Sequence, residues 1–285
     1  MGNMLRRKTK NLLKKYGIKL SKKYGQSHVV DENILSKITK YADISKDETM
    51  LEIGPGIGNL TSFLVKDSEK VISVEKDERL VEALEDRLGD SPNLEIIHGD
   101  ILEIDFPNFD KIVSNLPYSI SSPITFKLLE QDFDLGILMY QKEFAQRMAA
   151  DPGSSEYSRL SVNVSYRAKI ELLDEVPPSA FFPQPEVNST IVRLEPRERP
   201  FKVKDEEVFF QVINGAFQQK RKKLKNGLYY SFSDIFPDLD LSEDEQKEFI
   251  DYSLPKEFKN SRPENLTPKD FGEVADLLVE NKKDL

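Results

Sequence analysis

The chain has 285 residues, 38% of them hydrophobic, no cysteine, and two histidines, His28 and His98, far apart in sequence. That inventory suits one large or two modest domains, excludes disulfides and thiolate metal sites, and argues against a histidine-built metal centre or catalytic triad, so no metal is expected. No run approaches the roughly 18 apolar residues of a membrane-crossing helix, and the basic N-terminus lacks the apolar region of a secretory signal, so a soluble cytoplasmic protein with no membrane partner is expected.

Residues 1–23 hold nine Lys or Arg and no acid, and read as a basic N-terminal extension. Asp31 then stands as an N-cap before an apolar stripe of Ile34, Leu35 and Ile38, which predicts a helix. Thr49 to Ile53 is a short apolar run stopped by Gly54-Pro55-Gly56-Ile57-Gly58, a strand entering a glycine turn, with Asn59 to Val65 as the next helix. Lys70 to Val74 predicts a second strand ending at Glu75. The spacing of Leu80, Val81, Leu84 and Leu88 predicts a helix from Asp77. Leu94 to Ile97 reads as a third strand ending near Gly99-Asp100, Lys111 to Val113 as a fourth ending at Ser114-Asn115-Leu116-Pro117-Tyr118, and Leu135 to Tyr140 as a fifth. Strands alternating with helices imply a parallel sheet with right-handed crossovers. Such sheets bind ligands beyond the carboxyl ends of their strands, where Gly54, Glu75, Asp100 and Asn115 all fall.

Leu194 to Pro200 reads as a linker. Beyond it the pattern is helical: Val208, Phe209, Val212, Ile213, Ala216 and Phe217 share a face, Ser242 and Glu245 make a capping box, and Thr267-Pro268 reads as N-cap and first residue of a last helix. The expected division is an extension over 1–23, an α/β domain over 24–195 and a helical domain over 201–285.

A net charge of −9 argues against a nucleic-acid partner until its distribution is considered. A second basic run at 218–225, read as a helix face, contributes Lys220, Arg221, Lys222, Lys223 and Lys225. Two concentrated basic segments on an acidic body can neutralise phosphates locally; the alternative is a solvated tail and a solvated helix face.

Three motifs carry chemistry. The loop from Gly54 to Gly58 lets a ligand approach the backbone closely, and Glu75, placed like the acid that follows a dinucleotide loop, can bind the hydroxyls of a ribose-bearing cofactor. The third glycine falls one residue early for a dinucleotide fingerprint. Asn115-Leu116-Pro117-Tyr118 is the discriminating motif. An aryl-type amine is a poor nucleophile because its lone pair is delocalised into the ring. A side-chain amide oxygen and backbone carbonyls can accept its hydrogens and aim the lone pair, while Tyr118 offers a face for a base to stack on. Phe181-Phe182-Pro183-Gln184-Pro185 either sandwiches that base opposite Tyr118 or plugs the core. Asp100 either accepts from a cofactor's adenine amino group or caps a helix; the two roles are compatible. His98 reads as structural, and His28 as part of a loop or lid.

With these motifs assembled, the chain resembles the ribosomal RNA adenine N6,N6-dimethyltransferases, the family of bacterial KsgA and its archaeal and eukaryotic counterparts. The matching segments are Tyr24-Gly25-Gln26, Leu51 to Gly58, Val74-Glu75, Gly99-Asp100, Asn115 to Tyr118 with Ser121-Ser122-Pro123, Gln141 to Arg147, Tyr157 to Leu160, Pro177 to Ser189 and Arg262 to Leu266. Pro177 to Phe181 is closest to the archaeal branch. The resemblance implies a Rossmann-like class I methyltransferase domain with helices on both faces of its sheet, and a smaller helical C-terminal domain. It implies dimethylation, with S-adenosylmethionine as cofactor, of two adjacent adenines near the 3′ end of small-subunit rRNA, by a monomer acting on a pre-30S particle during ribosome biogenesis. It further implies that Ser27, Val29, Gly54, Gly56, Glu75, Asp100, Ile101 and Asn115 line the cofactor site. Asn115 with the Leu116–Pro117 backbone would hold the target amine, and Tyr118 and Phe181 would stack the base. Where relatives read Gln-Asn-Phe-Leu or Gln-His-Phe-Leu, this chain reads Gln26-Ser27-His28-Val29.

The rival readings are a related enzyme acting on large-subunit rRNA, a ribosome-assembly or transcription factor that binds RNA without turnover, and an NAD-dependent oxidoreductase. The Pro178–Ser189 loop and the 218–225 run favour the small-subunit family over the first. Intact Asn115 to Tyr118 and Glu52 to Gly56 segments speak against the second, and the glycine spacing against the third.

Overall fold

Near-continuous apolar runs belong in the middle of a covered parallel sheet, where alternation is lost because both faces are buried. In the computed structural model, which describes residues 2–18 and 27–283, the central strands follow this rule. Along the chain the strands are β1 (His28–Val29), β2 (Thr49–Ile53), β3 (Lys70–Glu75), β4 (Leu94–His98), β5 (Lys111–Asn115), β6 (Leu135–Gln141), β7 (Ala168–Val176), β8 (Phe181–Phe182) and β9 (Ser189–Pro196). One sheet runs β4-β3-β2-β5-β6-β9-β7. β2 to β6 pair in parallel, and β9 runs antiparallel between β6 and β7. The five strands expected from the sequence are the five parallel ones. The antiparallel pair was not anticipated: β7 exposes alternate polar residues at the sheet edge, and β9 takes Leu194 to Pro196 from the expected linker. β1 and β8 form a separate two-stranded sheet, with His28 opposite Phe182 and Val29 opposite Phe181.

The helices are α1 (Gly2–Lys15), α2 (Glu32–Ala42), α3 (Thr61–Asp67), α4 (Glu78–Leu88), α5 (Ser121–Leu128), α6 (Lys142–Met148), α7 (Arg159–Arg167), α8 (Glu206–Gln218), α9 (Leu224–Tyr230), α10 (Phe232–Ile235), α11 (Glu243–Ser253), α12 (Lys256–Asn260) and α13 (Pro268–Lys282). Asp31 caps α2 through the Asn33 N–H, and Asp77 caps α4 through the Arg79 N–H. The box anticipated at Ser242–Glu245 forms on α11, and Thr267, anticipated as an N-cap, caps α13 and also forms a box with Asp270.

The basic N-terminus is not a free tail. Leu5, Thr9 and Leu13, spaced by four residues along α1, are buried. Lys19, Lys22 and Lys23 of the same segment, and the Tyr24-Gly25-Gln26 motif, lie outside the described residues.

The chain divides into two compact units, Met1–Ala145 with Ala168–Pro196, and Gln146–Arg167 with Arg197–Leu285. Gln146–Arg167, assigned from sequence to the α/β domain, packs with the C-terminal helices because Tyr157, Val162 and Tyr166 join their apolar core. Within that second unit α8 and α9 touch backbone to backbone: a Cβ on Gly227 would come within 2.7 Å of the Gly215 carbonyl oxygen, and one on Gly215 within 2.7 Å of Ser231. The run 218–225 is not one helix. α8 ends at Gln218 and α9 begins at Leu224, so four of its five cations sit in the connection. Among the described residues no helix is long and apolar enough to cross a membrane.

Because the α8–α9 crossing leaves no room for a methyl group, Gly227→Ala should destabilise the C-terminal unit by about 1–3 kcal/mol. The check is the urea midpoint of unfolding followed by circular dichroism.

Candidate active site

Strand order reverses on either side of β2: β3 and β4 lie to one side, β5 and β6 to the other. The carboxyl ends of β2 and β5 therefore flank the switch point where open α/β sheets hold ligands. Gly54 follows β2, Glu75 ends β3, Asp100 lies just past β4 and Asn115 ends β5. The two central turns nearly touch. Gly54 has φ +65°, and a Cβ there would stand 3.1 Å from Pro117 Cγ. Gly56, at φ +58°, is covered by His28, whose ring would lie 2.1 Å from an added Cβ. Left-handed backbone and steric closure both restrict these positions to glycine.

Two recesses open on this geometry. A cleft of about 560 Å³ is lined by Gly54, Glu75, Lys76, Asp100, Ile101 and Pro117, among others. Beside it, a recess of about 70 Å³ is lined by Ser27, His28, Val29, Glu52, Gly56, Glu75 and Asn115, among others. Glu75 belongs to both. Its carboxylate accepts the Gly56, Lys76 and Asp77 N–H groups at 3.1, 2.8 and 3.0 Å, which ties the glycine loop to β3. Burial raises its pKa against the lowering effect of those bonds. Asp100 accepts from the Leu102 N–H at 3.0 Å and from Lys76, which holds its pKa down. It thus caps a short turn rather than a helix, and Lys127 braces that turn by donating to the Ile101 carbonyl at 2.7 Å.

Asn115 is held from one side only. Its Nδ2 donates to the Ser27 carbonyl at 2.7 Å, while its Oδ1, buried, has no partner among the described residues. A buried acceptor without a donor costs stability, so its persistence marks a place for a ligand's N–H. The Pro117 carbonyl accepts from the Ile120 N–H at 3.1 Å and keeps one further lone pair. Tyr118 is half-buried, its hydroxyl bonded to Ser189 Oγ at 2.5 Å, and burial raises its pKa. Phe181 departs from expectation. It is 0% exposed and packs in the core with Val29, Leu35 and Ala180. Of its two readings, the structure supports the plug, because the β1 pairing turns this ring inward; the half-buried ring is Phe182.

Two residues bracing the site, Asn59 and Arg87, carry no functional signal in the sequence. Asn59 donates to Thr9 Oγ1 and to the Val29 carbonyl and accepts from Arg87, which also donates to the Ile57 carbonyl at 2.6 Å. Glu52 accepts from Thr61 and Ser73 inside the sheet, and burial pushes its pKa up to about 7. His28, 9% exposed, has an unpartnered Nε2, and burial beside Arg87 pushes its pKa down to about 4. Among the described residues no three His, Asp or Glu side chains are grouped as a metal site would need. Of the expected RNA contacts, Lys220 donates to the Ser155 and Tyr157 carbonyls, Lys223 to Asn260, and Lys225 pairs with Asp251. Arg221 and Lys222 are exposed with no partner among the described residues.

A doubly flanked switch point, a glycine loop tied to an acid on the next strand and an Asn-Leu-Pro-Tyr turn on the far side define a class I methyltransferase site. The profile of the family described as Ribosomal RNA adenine dimethylase matches residues 17–248, and the chain belongs to that family. It is 46% identical over 274 residues to a Methanosarcina mazei protein named probable ribosomal RNA small subunit methyltransferase A, covering 96% of this chain and 98% of the relative. A Methanothermobacter thermautotrophicus protein of the same name is 43% identical over 272 residues, 95% of each chain. Among solved structures, a dimethyladenosine transferase from Plasmodium falciparum superposes with a TM-score of 0.72 at 34% identity, covering 89% of this chain and 96% of that one. The 23S rRNA methyltransferase ErmE gives 0.63 at 25%, covering 87% and 98%.

The residues fit S-adenosylmethionine, the cofactor of this family. The larger cleft offers Glu75 and Asp100 as acceptors, and the smaller recess offers two unpartnered polar atoms, on His28 and Asn115.

His28 and Glu52 titrate in opposite senses. The folded His28 pKa, about 4, lies below its ordinary 6.5, so between them the unfolded chain binds the extra proton and acid removes stability. The Glu52 pKa is raised from 4.5 to about 7, so acid adds stability over much of the same range. Replacing His28 by Phe leaves Glu52 unopposed. From pH 7.5 to 5, His28→Phe should gain about 2 kcal/mol in unfolding free energy relative to the parent. Urea titrations at the two pH values measure it, and a constant difference would exclude a buried neutral His28.

Proposed function

We propose that this chain transfers methyl groups from S-adenosylmethionine to N6 of two adjacent adenines near the 3′ end of small-subunit rRNA. The observation that carries the reading is the buried, donorless Oδ1 of Asn115 at the end of β5, beside the glycine loop. The relatives' names and the greater distance of the large-subunit enzyme ErmE favour the small subunit. A binding protein without turnover has no use for an unmet acceptor at that point.

The cofactor supplies a methyl group on a sulfonium sulfur, an electrophile needing no further activation. Glu75 would hold ribose hydroxyls, Asp100 would accept from the adenine amino group against the buried Ile101, and Gly54 and Gly56 would line the remainder. Ser27 and Val29 close the recess from β1. Asn115 Oδ1 accepts one N–H of the target amine, and the carbonyls of Leu116 and Pro117 accept the other. This draws the lone pair out of conjugation and aims it at the methyl carbon. Asn115 Nδ2 is fixed on Ser27, so the acceptor is already oriented before the amine arrives. The amide cannot take up the proton lost from nitrogen, which leaves to solvent. Tyr118 offers the stacking face. Phe181 supports the site from the core and does not touch the base; the face opposite Tyr118 falls to Phe182.

The substrate is an assembling pre-30S particle in the cytoplasm, and the enzyme acts as a monomer. Arg221 and Lys222, in the α8–α9 connection, contact rRNA phosphates, with Lys220, Lys223 and Lys225 shaping that connection through their internal bonds.

Asn115→Ala should reduce methyl transfer to unmodified small subunits at least 100-fold, the scale of losing one preorganised transition-state acceptor. Calorimetric affinity for S-adenosylhomocysteine should stay within a few-fold. Substantial turnover by that variant would overturn the assignment, as would reverse-transcription stops mapping to large-subunit rRNA. Arg221→Glu with Lys222→Glu should weaken small-subunit binding at moderate salt by about tenfold, since two phosphate contacts become two repulsions.

A further inference from the structure

α1 is the most one-sided element in the chain: six Lys or Arg and no acid over Gly2–Lys15, in a protein of net charge −9. Its inner face is fixed. Thr9 accepts from Asn59, the residue after the glycine loop, and Leu13 packs with Ile57 of that loop and with Leu80. Of its other cations, Arg6 donates to the Ser179 carbonyl, Lys15 pairs with Asp86 and Lys8 is exposed. Arg7, Lys10 and Lys14, at i, i+3 and i+7, form one stripe on the outer face. Arg7 and Lys14 are exposed and have no hydrogen-bond or ion-pair partner among the described residues. Lys10 stands 5.0 Å over the ring of Phe182, which pairs through β8 with His28 at the site's edge.

We propose that this stripe is an RNA-backbone contact that passes the edge of the active site at Lys10 and follows the strand flanking the target adenines. An acid-rich protein that needed these cations for its own stability has ample carboxylates to pair them with, and it leaves them open. Seven residues of helix span about 10 Å, which suits successive phosphates rather than one small anion. Lys10 and Phe182 place the middle of the stripe beside the target site. Anchoring through Thr9 and Asn59 makes the contact rigid with the glycine loop, so it sets where the strand lies relative to Asn115. The contact reads charge and not sequence. The inference rests on an RNA substrate being correct.

The test uses the full chain, an unmodified small-subunit rRNA fragment carrying the two adenines, and poly(U) as a sequence-free probe. In Arg7→Gln/Lys14→Gln, two lost single-strand phosphate contacts should lower the slope of log affinity against log salt by about 1.4. KM for the fragment should rise about tenfold, with poly(U) affinity falling in parallel and S-adenosylhomocysteine affinity unchanged. Arg7→Glu/Lys14→Glu should exaggerate each effect. An unchanged slope and KM, with the parent methylating the fragment, would overturn the stripe and leave the proposed function intact. Loss of cofactor affinity along with RNA affinity would assign α1 a purely structural role and also overturn it. A parent chain that neither binds nor methylates the fragment removes both readings.

Discussion

The close approach of the turn after β2 to the turn after β5 governs this site. Parallel pairing sets those strands side by side, and the absence of a side chain at Gly54 lets Pro117 come to van der Waals distance. The glycine loop and the Asn-Leu-Pro-Tyr turn thereby share a wall, and on the proposed function in-line displacement requires the reactants they hold to meet across a few ångströms. A methyl group at residue 54 would part the turns and separate the reacting groups while leaving the sheet intact.

Around that wall, polar groups serve as positioning devices. Glu75 spends its oxygens on three backbone N–H groups and stays buried, Asn59 joins α1, β1 and α4 in one node, and Lys127 braces the Asp100 turn from α5. Each satisfied bond fixes a backbone segment. Two buried atoms without a partner among the described residues, Asn115 Oδ1 and His28 Nε2, stand in the same recess. Their position in a recess open to a ligand, beside the glycine loop, gives these unmet atoms their meaning.

The parallel half of the fold was legible because buried strands write themselves as apolar runs ended by glycine, acid or Asn-Pro. The edge strands were not, since β7 alternates like a surface segment and β9 ends in a charged stretch resembling a linker. α1 was hidden because a threonine occupies the middle of its buried face and cations surround it. The basic run at 218–225 looked like one helix because charge carries no signal of chain reversal; Lys223, with ψ 147°, breaks it. At the site, residues at strand ends were readable from position alone. Two adjacent phenylalanines were not, because which ring turns inward depends on pairing with β1, far away in sequence. His28 was equally opaque: its burial arises from covering a glycine 28 residues later.

The two-residue sheet of β1 and β8 is the smallest element in the fold. It joins the segment flanking the cofactor to the segment flanking the base, with His28 against Phe182 and Val29 against Phe181. Neither half can be redesigned alone. A change of ring size at 28 alters the support under 182, and a change at 181 removes the floor under 29. These four positions therefore form one packing unit, in which a substitution on one strand changes what its partner on the other must fill. His28, which both covers Gly56 and stands opposite Phe182, is one member of such a matched set.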